Sequence, residues 1–298
     1  MSRQKIKRLW AGLLAVVICL APAPAFSAEK TIERGRPVFL LDALGNILSI
    51  PKKILLLNWK IDNHKVSPQT EAELQKFLDA HPETEKNLKV RINQWTPVGE
   101  FRRLAQNKRI PWYFRVFPGI PTTAFSSLTG RVLGGDHYNP YTNTIHLFSD
   151  DAAVALHEAG HAVDFAHQKS PGLYAVGRIL PPIELNQEQI ASDTAIAYLK
   201  EQKDRPGELH AYKTLYPAFG TYAGEQSGLG YGNYIGAGAG HALGFLESRN
   251  QRLGYEAIDN ARVGDHVITQ QSPLSKSLLT HQADSRKALL SSLDKTAE

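Results

Sequence analysis

A chain of 298 residues that is 42% hydrophobic and 21% charged is long enough to bury a substantial core, and its composition excludes disorder as the default state. Its formal charge of +5 is concentrated at the start, where residues 1–28 carry Arg3, Lys5, Lys7 and Arg8, four of the 34 basic residues, and no acid. Without them 30 bases face 29 acids, a net charge of +1, so there is no basic footprint for nucleic acid and none is expected as a partner.

The opening segment MSRQKIKRLWAGLLAVVICLAPAPAFSAEK has the layout of a secretory signal peptide: a basic start, the apolar run Leu9 to Ala21, then small residues and prolines. The run is too short to span a bilayer comfortably. Cleavage near Ser27 or Ala28 is expected to release a periplasmic or secreted chain without a stable membrane anchor. Ile18 is too bulky for lipoprotein processing at Cys19. Cys19 and Met1 are the only cysteine and methionine of the chain, so the mature protein is expected to lack disulfides, a cysteine nucleophile and any cysteine metal ligand. The sequence does not fix an oligomeric state.

Residues 29–95 are expected to form a β-rich and helical N-terminal segment. PVFLLDALGNILSI holds two apolar runs around Gly45-Asn46, a hairpin signal, and KILLLNW follows as a further strand. In SPQTEAELQKFLDAH, Ser67 caps a helix, Pro68 suits its first turn, and Leu74, Phe77 and Leu78 form its apolar face. A second helix is expected from Pro97 to Asn107, capped by Thr96. PWYFRVF (Pro111 to Phe117) and NTIHLF (Asn143 to Phe148) read as strands, the latter introduced by the turn NPYT and able to form an edge strand.

Ser149, Asp150 and Asp151 then supply a cap and acidic first-turn residues for a helix running to about Gln168. Another long helix is expected over Glu188 to Glu201. The stretch SGLGYGNYIGAGAGHALGFLE is rich in glycine and alanine and fixes no single conformation. Residues 265–298 read as a polar tail with a weak helical pattern around Ala283 to Leu293.

His157-Glu158-Ala159-Gly160-His161 sits on the first of these two helices. Residues four apart share a helix face, so two imidazoles can reach one ion. Glu158 lies about 100° further round, beside the ion rather than aimed at it, which suits a general base acting on a zinc-bound water. The alternative is a helix with solvated histidines, against which stand the apolar neighbours Val154, Ala155, Leu156, Ala162 and Val163. Asp164 shares the face of both histidines and is placed either to orient an imidazole or to form a packing salt bridge.

At these residues the sequence resembles the zincin metallopeptidases, and HEAGHAVD is most similar to the motif helix of their glutamate-liganded branch, the gluzincins, with its thermolysin-like and lethal-factor-like enzymes. The resemblance covers Asn143 to Leu199. It implies an α+β, zincin-like domain over residues 96–264, with a small mixed sheet, an active-site helix and a largely helical C-terminal part. It also implies one Zn2+ per chain, held by His157, His161 and a glutamate from a later helix.

In NQEQIASDTAIAYL that glutamate is Glu188, with Glu184 as fallback; Asp193 stands five residues after Glu188, where thermolysin-like chains place an acid at four, and Ser192 takes that fourth place. His167 is the competing third ligand, at the metzincin spacing of six after His161. That plan needs the helix to end after His161. Ala162 to Ala166 contain no glycine or proline, and on a continuous helix six residues turn the side chain about 240° away. The methionine turn of that plan is also absent from the mature chain.

The resemblance further implies a donor for the oxyanion downstream, where Tyr222, Tyr231, Tyr234 and His241 lie. Tyr222 and His241 are the candidates, with ordinary packing the alternative for each. Two functions follow: a secreted or periplasmic zinc metallopeptidase acting on a peptide or protein, with Glu158 as base, or a non-catalytic envelope protein with a structural zinc or a degenerate peptide-binding site. An open fourth metal position separates them.

Overall fold

Four short strands, Thr31–Arg34 (β1), Lys89–Ile92 (β2), His137–Asn139 (β3) and Thr144–Leu147 (β4), form one mixed sheet in the order β1-β2-β4-β3. The computed structural model describes residues 31–84 and 87–269; the expected signal peptide and the pattern at Ala283 to Leu293 lie outside the described residues. The chain divides into two units, Met1–Ser248 and Arg249–Glu298. The sheet and the histidine motif belong to the first.

The fold is α+β and largely helical. β1, β2 and β4 run parallel, with Val90 opposite Ile145, and β3 pairs antiparallel to β4 with Tyr138 opposite Ile145. β1 and β2 precede residue 96 and β3 and β4 follow it, so the sheet joins the two stretches of chain. β2 and β4 are interior strands with every residue buried, as parallel strands covered on both faces require. The NTIHLF segment is therefore not the edge. That place is taken by β3, too short for periodicity to mark it.

Three further expectations are corrected. The hairpin at Gly45-Asn46 and the strand KILLLNW are two helices, Phe39–Leu48 (α1) and Ile50–Leu55 (α2). Gly45 does not turn the chain; it lets α1 approach its neighbours, since a Cβ there would lie 2.7 Å from His64 Nε2 and 2.8 Å from the Arg131 carbonyl oxygen. The segment before residue 96 is thus mostly helical, with two four-residue strands. PWYFRVF is a short helical turn, Trp112–Phe114, continued by wider turns over Arg115–Gly119.

Pro68–Ala80 (α3) forms as read: Ser67 Oγ accepts from the Thr70 amide, and Leu74, Phe77 and Leu78 are buried. Pro97–Gln106 (α4) follows Thr96, whose side chain makes no capping bond. Ile120–Thr129 (α5) precedes the sheet edge. The motif helix Ala152–His167 (α6) packs on α3 and on the helices Pro181–Glu201 (α8) and Arg205–Glu225 (α9), with Pro171–Gly177 (α7) beside it. The Gly/Ala-rich stretch lies largely in a last helix, Gly232–Thr269 (α10). Leu156, Ala159 and Phe165 of α6 join Ile92, Ile145 and Leu147 of the sheet in one apolar core.

Asp151 is the N-cap of α6. Its Oδ1 accepts from the Ala153 amide at 2.9 Å, and its Oδ2 accepts from Asn58 Nδ2 at 2.7 Å and faces His210 Nε2 at 2.9 Å. Burial pushes this carboxyl up, but the His210, Asn58 and Ala153 contacts outweigh it and hold it below the ordinary 3.8. A depressed carboxylate contributes stability above its unfolded value and loses it as pH falls through the folded value. Asp151→Ala should therefore cost roughly 1–2 kcal/mol at neutral pH. In urea titrations the gap to the parent should narrow below about pH 4, as the parent's carboxyl protonates.

Candidate metal centre

The motif helix does not end after His161 but runs on to His167. It presents His157, Gly160 and His161 to α8, which answers with Glu188, Ala191 and Ser192 at the same one-turn spacing. Gly160 sets how closely the two helices cross. A Cβ on it would lie 2.5 Å from the Ala191 carbonyl oxygen and 3.0 Å from the Ala191 Cα, closer than packed atoms stand.

This approach brings three side chains together. His157 Nε2 is 3.2 Å from Glu188 Oε2, and His161 Nε2 is 3.4 Å from Glu188 Oε1. The two imidazoles are 4.7 Å apart and nearly perpendicular. One donor atom from each residue lies within 4.8 Å of the others, and among the described residues no further His, Cys, Asp or Glu joins the group. Such a cluster can hold a metal ion.

Glu188 lies well inside α8 rather than near its start and is only 1% exposed, so it is no solvated first-turn acid. α8 begins at Leu180 as N-cap because Pro181 and Pro182 occupy the first turn, where their missing amides cost nothing. Ser192, in the place where an acid was looked for, has its Oγ 3.1 Å from His157 Nδ1, which leaves the other ring nitrogen facing Glu188. Asp164 bonds neither histidine. It accepts from the Tyr174 hydroxyl at 2.7 Å and from Gln168 Nε2 at 2.8 Å, tying α6 to α7, while His161 Nδ1 is buried without a partner among the described residues.

Charge at the cluster is sharply divided. Burial opposes ionisation of Glu188, but the His161 and His157 rings hold its carboxyl well below the usual range, and the Arg178 guanidinium donates to its Oε1. Burial alone would lower His157, yet its bond to Glu188 and that charge leave it raised. In His161 burial wins and lowers the imidazole to about 4. Glu158 is pushed up to about 7, chiefly by burial, with the Glu188 charge adding to it against the opposing pull of His157. An anionic carboxylate with two ring nitrogens is a donor set suited to zinc.

Two cavities meet here. One of about 120 Å³ is walled by Leu56, Val154, Leu215 and Phe219; the other, of about 350 Å³, is lined by the edge strand β3 with Tyr141, Ala175 and Ile179. Asp136, Glu158, Glu188 and Tyr222 line both. Tyr222 thus faces the cluster. His241 lies on α10 with its Nε2 2.9 Å from the Leu55 carbonyl oxygen and lines neither cavity, and Tyr231 and Tyr234 are exposed. Glu184 accepts from Gln226, and His167 Nδ1 faces the Val163 carbonyl oxygen, both outside the cluster. Arg178 and Asp136 were not picked out from the sequence. Nothing in VGRILPPIEL or VLGGDHY marks either residue as more than a lone charge.

The sequence matches no protein-family model, and no curated protein or solved structure shows significant similarity to it.

Gly160→Ala should push α8 off α6, lowering stability by roughly 1–3 kcal/mol in denaturant titrations and weakening zinc uptake in the same protein. His157→Ala, His161→Ala and Glu188→Ala should each bind zinc far more weakly in a competition assay with a chromophoric chelator. His167→Ala should bind it as the parent does. A large loss in His167→Ala alone would overturn the ligand assignment.

Proposed function

We propose that this chain is a zinc-dependent metallopeptidase that hydrolyses peptide bonds in a peptide or protein substrate after export to the periplasm or the exterior. The observation that carries the reading is the placement of Glu158: it stays out of the three-residue cluster yet lines both cavities that meet there. A structural zinc is enclosed by four protein donors, whereas among the described residues this cluster supplies three, which favours a hydrolytic site over a structural one.

Zinc bound there would polarise a carbonyl and acidify water. Glu158 accepts the proton of the attacking water and returns it to the departing amine, the work of a buried carboxyl whose affinity for protons is raised towards neutrality. Tyr222 keeps its phenol proton, because the Glu188 charge first, and burial second, raise its pKa. It therefore remains a donor for the charge that develops on the attacked carbonyl oxygen. Ser192 holds the His157 ring, and Arg178 donates to Glu188 Oε1. The two cavities accept substrate on either side of the scissile bond.

Glu158→Gln should retain zinc and lose hydrolysis by about 10²–10⁴-fold, read as metal content and peptide cleavage on one preparation. Tyr222→Phe should lower kcat by about 10²–10³-fold with little change in KM. Mass spectrometry of a mixed peptide pool incubated with the protein provides the assay. Unchanged turnover in Glu158→Gln would sink the mechanism.

A further inference from the structure

Helix α1 packs the wrong way round for a helix in water. Its inward contacts are polar or small: Gly45 lies against His64 and Arg131, and Asp42 is paired with Arg131 at 2.6 Å. Its outward face carries Phe39 (81% exposed), Leu40 (77%), Leu44, Ile47 and Leu48, which at 100° per residue fall within one half of the helix circumference. Ile50 and Ile54 of α2, and Leu57 and Trp59 just after it, are exposed as well. A soluble monomer seldom leaves so large an apolar surface uncovered unless something docks on it.

Charge distinguishes the occupant. Between Gly35 and Ile61 the only acid is Asp42, already paired with Arg131, whereas Arg36, Lys52, Lys53 and Lys60 are basic. Arg36 and Lys60 are exposed at the two ends of the apolar face. Lys53 is buried and Lys52 pairs with Asp62 at 3.2 Å, so the bases that margin the face are Arg36 and Lys60, in a chain close to neutral beyond residue 28. An apolar helical face with cationic margins and an exposed tryptophan at its end is the chemistry of a segment lying in a bilayer interface.

We propose that α1 and α2 form a peripheral docking face for an anionic phospholipid bilayer, with Phe39, Leu40, Ile47 and Ile54 entering the acyl boundary and Arg36 and Lys60 meeting headgroup phosphates. The inference is independent of the peptidase reading. It has a consequence for that reading nonetheless, because α2 also supplies Lys52 to the smaller cavity beside Glu158. Lipid docking would therefore hold the mouth of the site close to the membrane surface.

The test is co-sedimentation of the exported protein with vesicles of phosphatidylcholine alone or mixed with phosphatidylglycerol, beside a variant carrying Phe39→Glu and Leu40→Glu. Both side chains point outward, so the variant should keep the parent's circular dichroism and melting temperature, and it retains whatever leader the parent retains. The parent should sediment with the anionic vesicles and not the neutral ones, and be released by salt. The variant should bind at least about tenfold more weakly, since burying one such side chain is worth about that factor or more. Equal sedimentation of parent and variant, equal binding to both vesicles, or no binding would overturn the proposal. So would a concentration-dependent dimer abolished by the variant, which would assign the face to a second copy of the chain.

Discussion

The site depends on the crossing of α6 and α8 at Gly160. With no side chain there, the Ala191 backbone lies where a Cβ would otherwise stand, and only at that separation can a carboxylate as short as Glu188 face both imidazoles. The constraint is steric before it is electrostatic. Small residues on both helices set the distance, and the charged residues one turn away on either side exploit it.

Once Glu188 is buried it needs polar partners, and the surrounding chain supplies them: two imidazoles and one guanidinium, with Ser192 turning a ring into place. The same burial raises Glu158 as well, but no cation contacts that carboxyl as closely, so two carboxyls that line the same cavities differ widely in proton affinity. A difference of this kind between adjacent acids separates a group fit to stay anionic from one fit to exchange protons.

The sequence made the helical parts of this arrangement legible wherever spacing carried the information. His157 and His161 are one turn apart whatever surrounds them, the run Ala162 to Ala166 has no breaker, and Ser67 with Pro68 marks a helix start. Glu188 was reached through resemblance to a glutamate-liganded family rather than through spacing alone. What local pattern misread depended on distant contacts: Gly45-Asn46 resembles a turn until His64 and Arg131 are seen against it. The helix expected from Glu188 begins at Pro181 instead. Arg178 carries no pattern at all, because its role exists only once α8 brings Glu188 beside it.

The cap of α6 has a further consequence for how the protein comes to be folded. Asp151 is held by Asn58, 93 residues earlier, and by His210, 59 residues later. Asp150 likewise accepts from Ser67 and Thr70, 83 and 80 residues upstream. The first turn of the motif helix is therefore completed only when segments from three distant parts of the chain have met. The helix that carries both histidines is thus not a module that can be lifted out with its neighbours in sequence. A chain shortened from either side would lose partners of the helix start before losing any residue of the cluster itself.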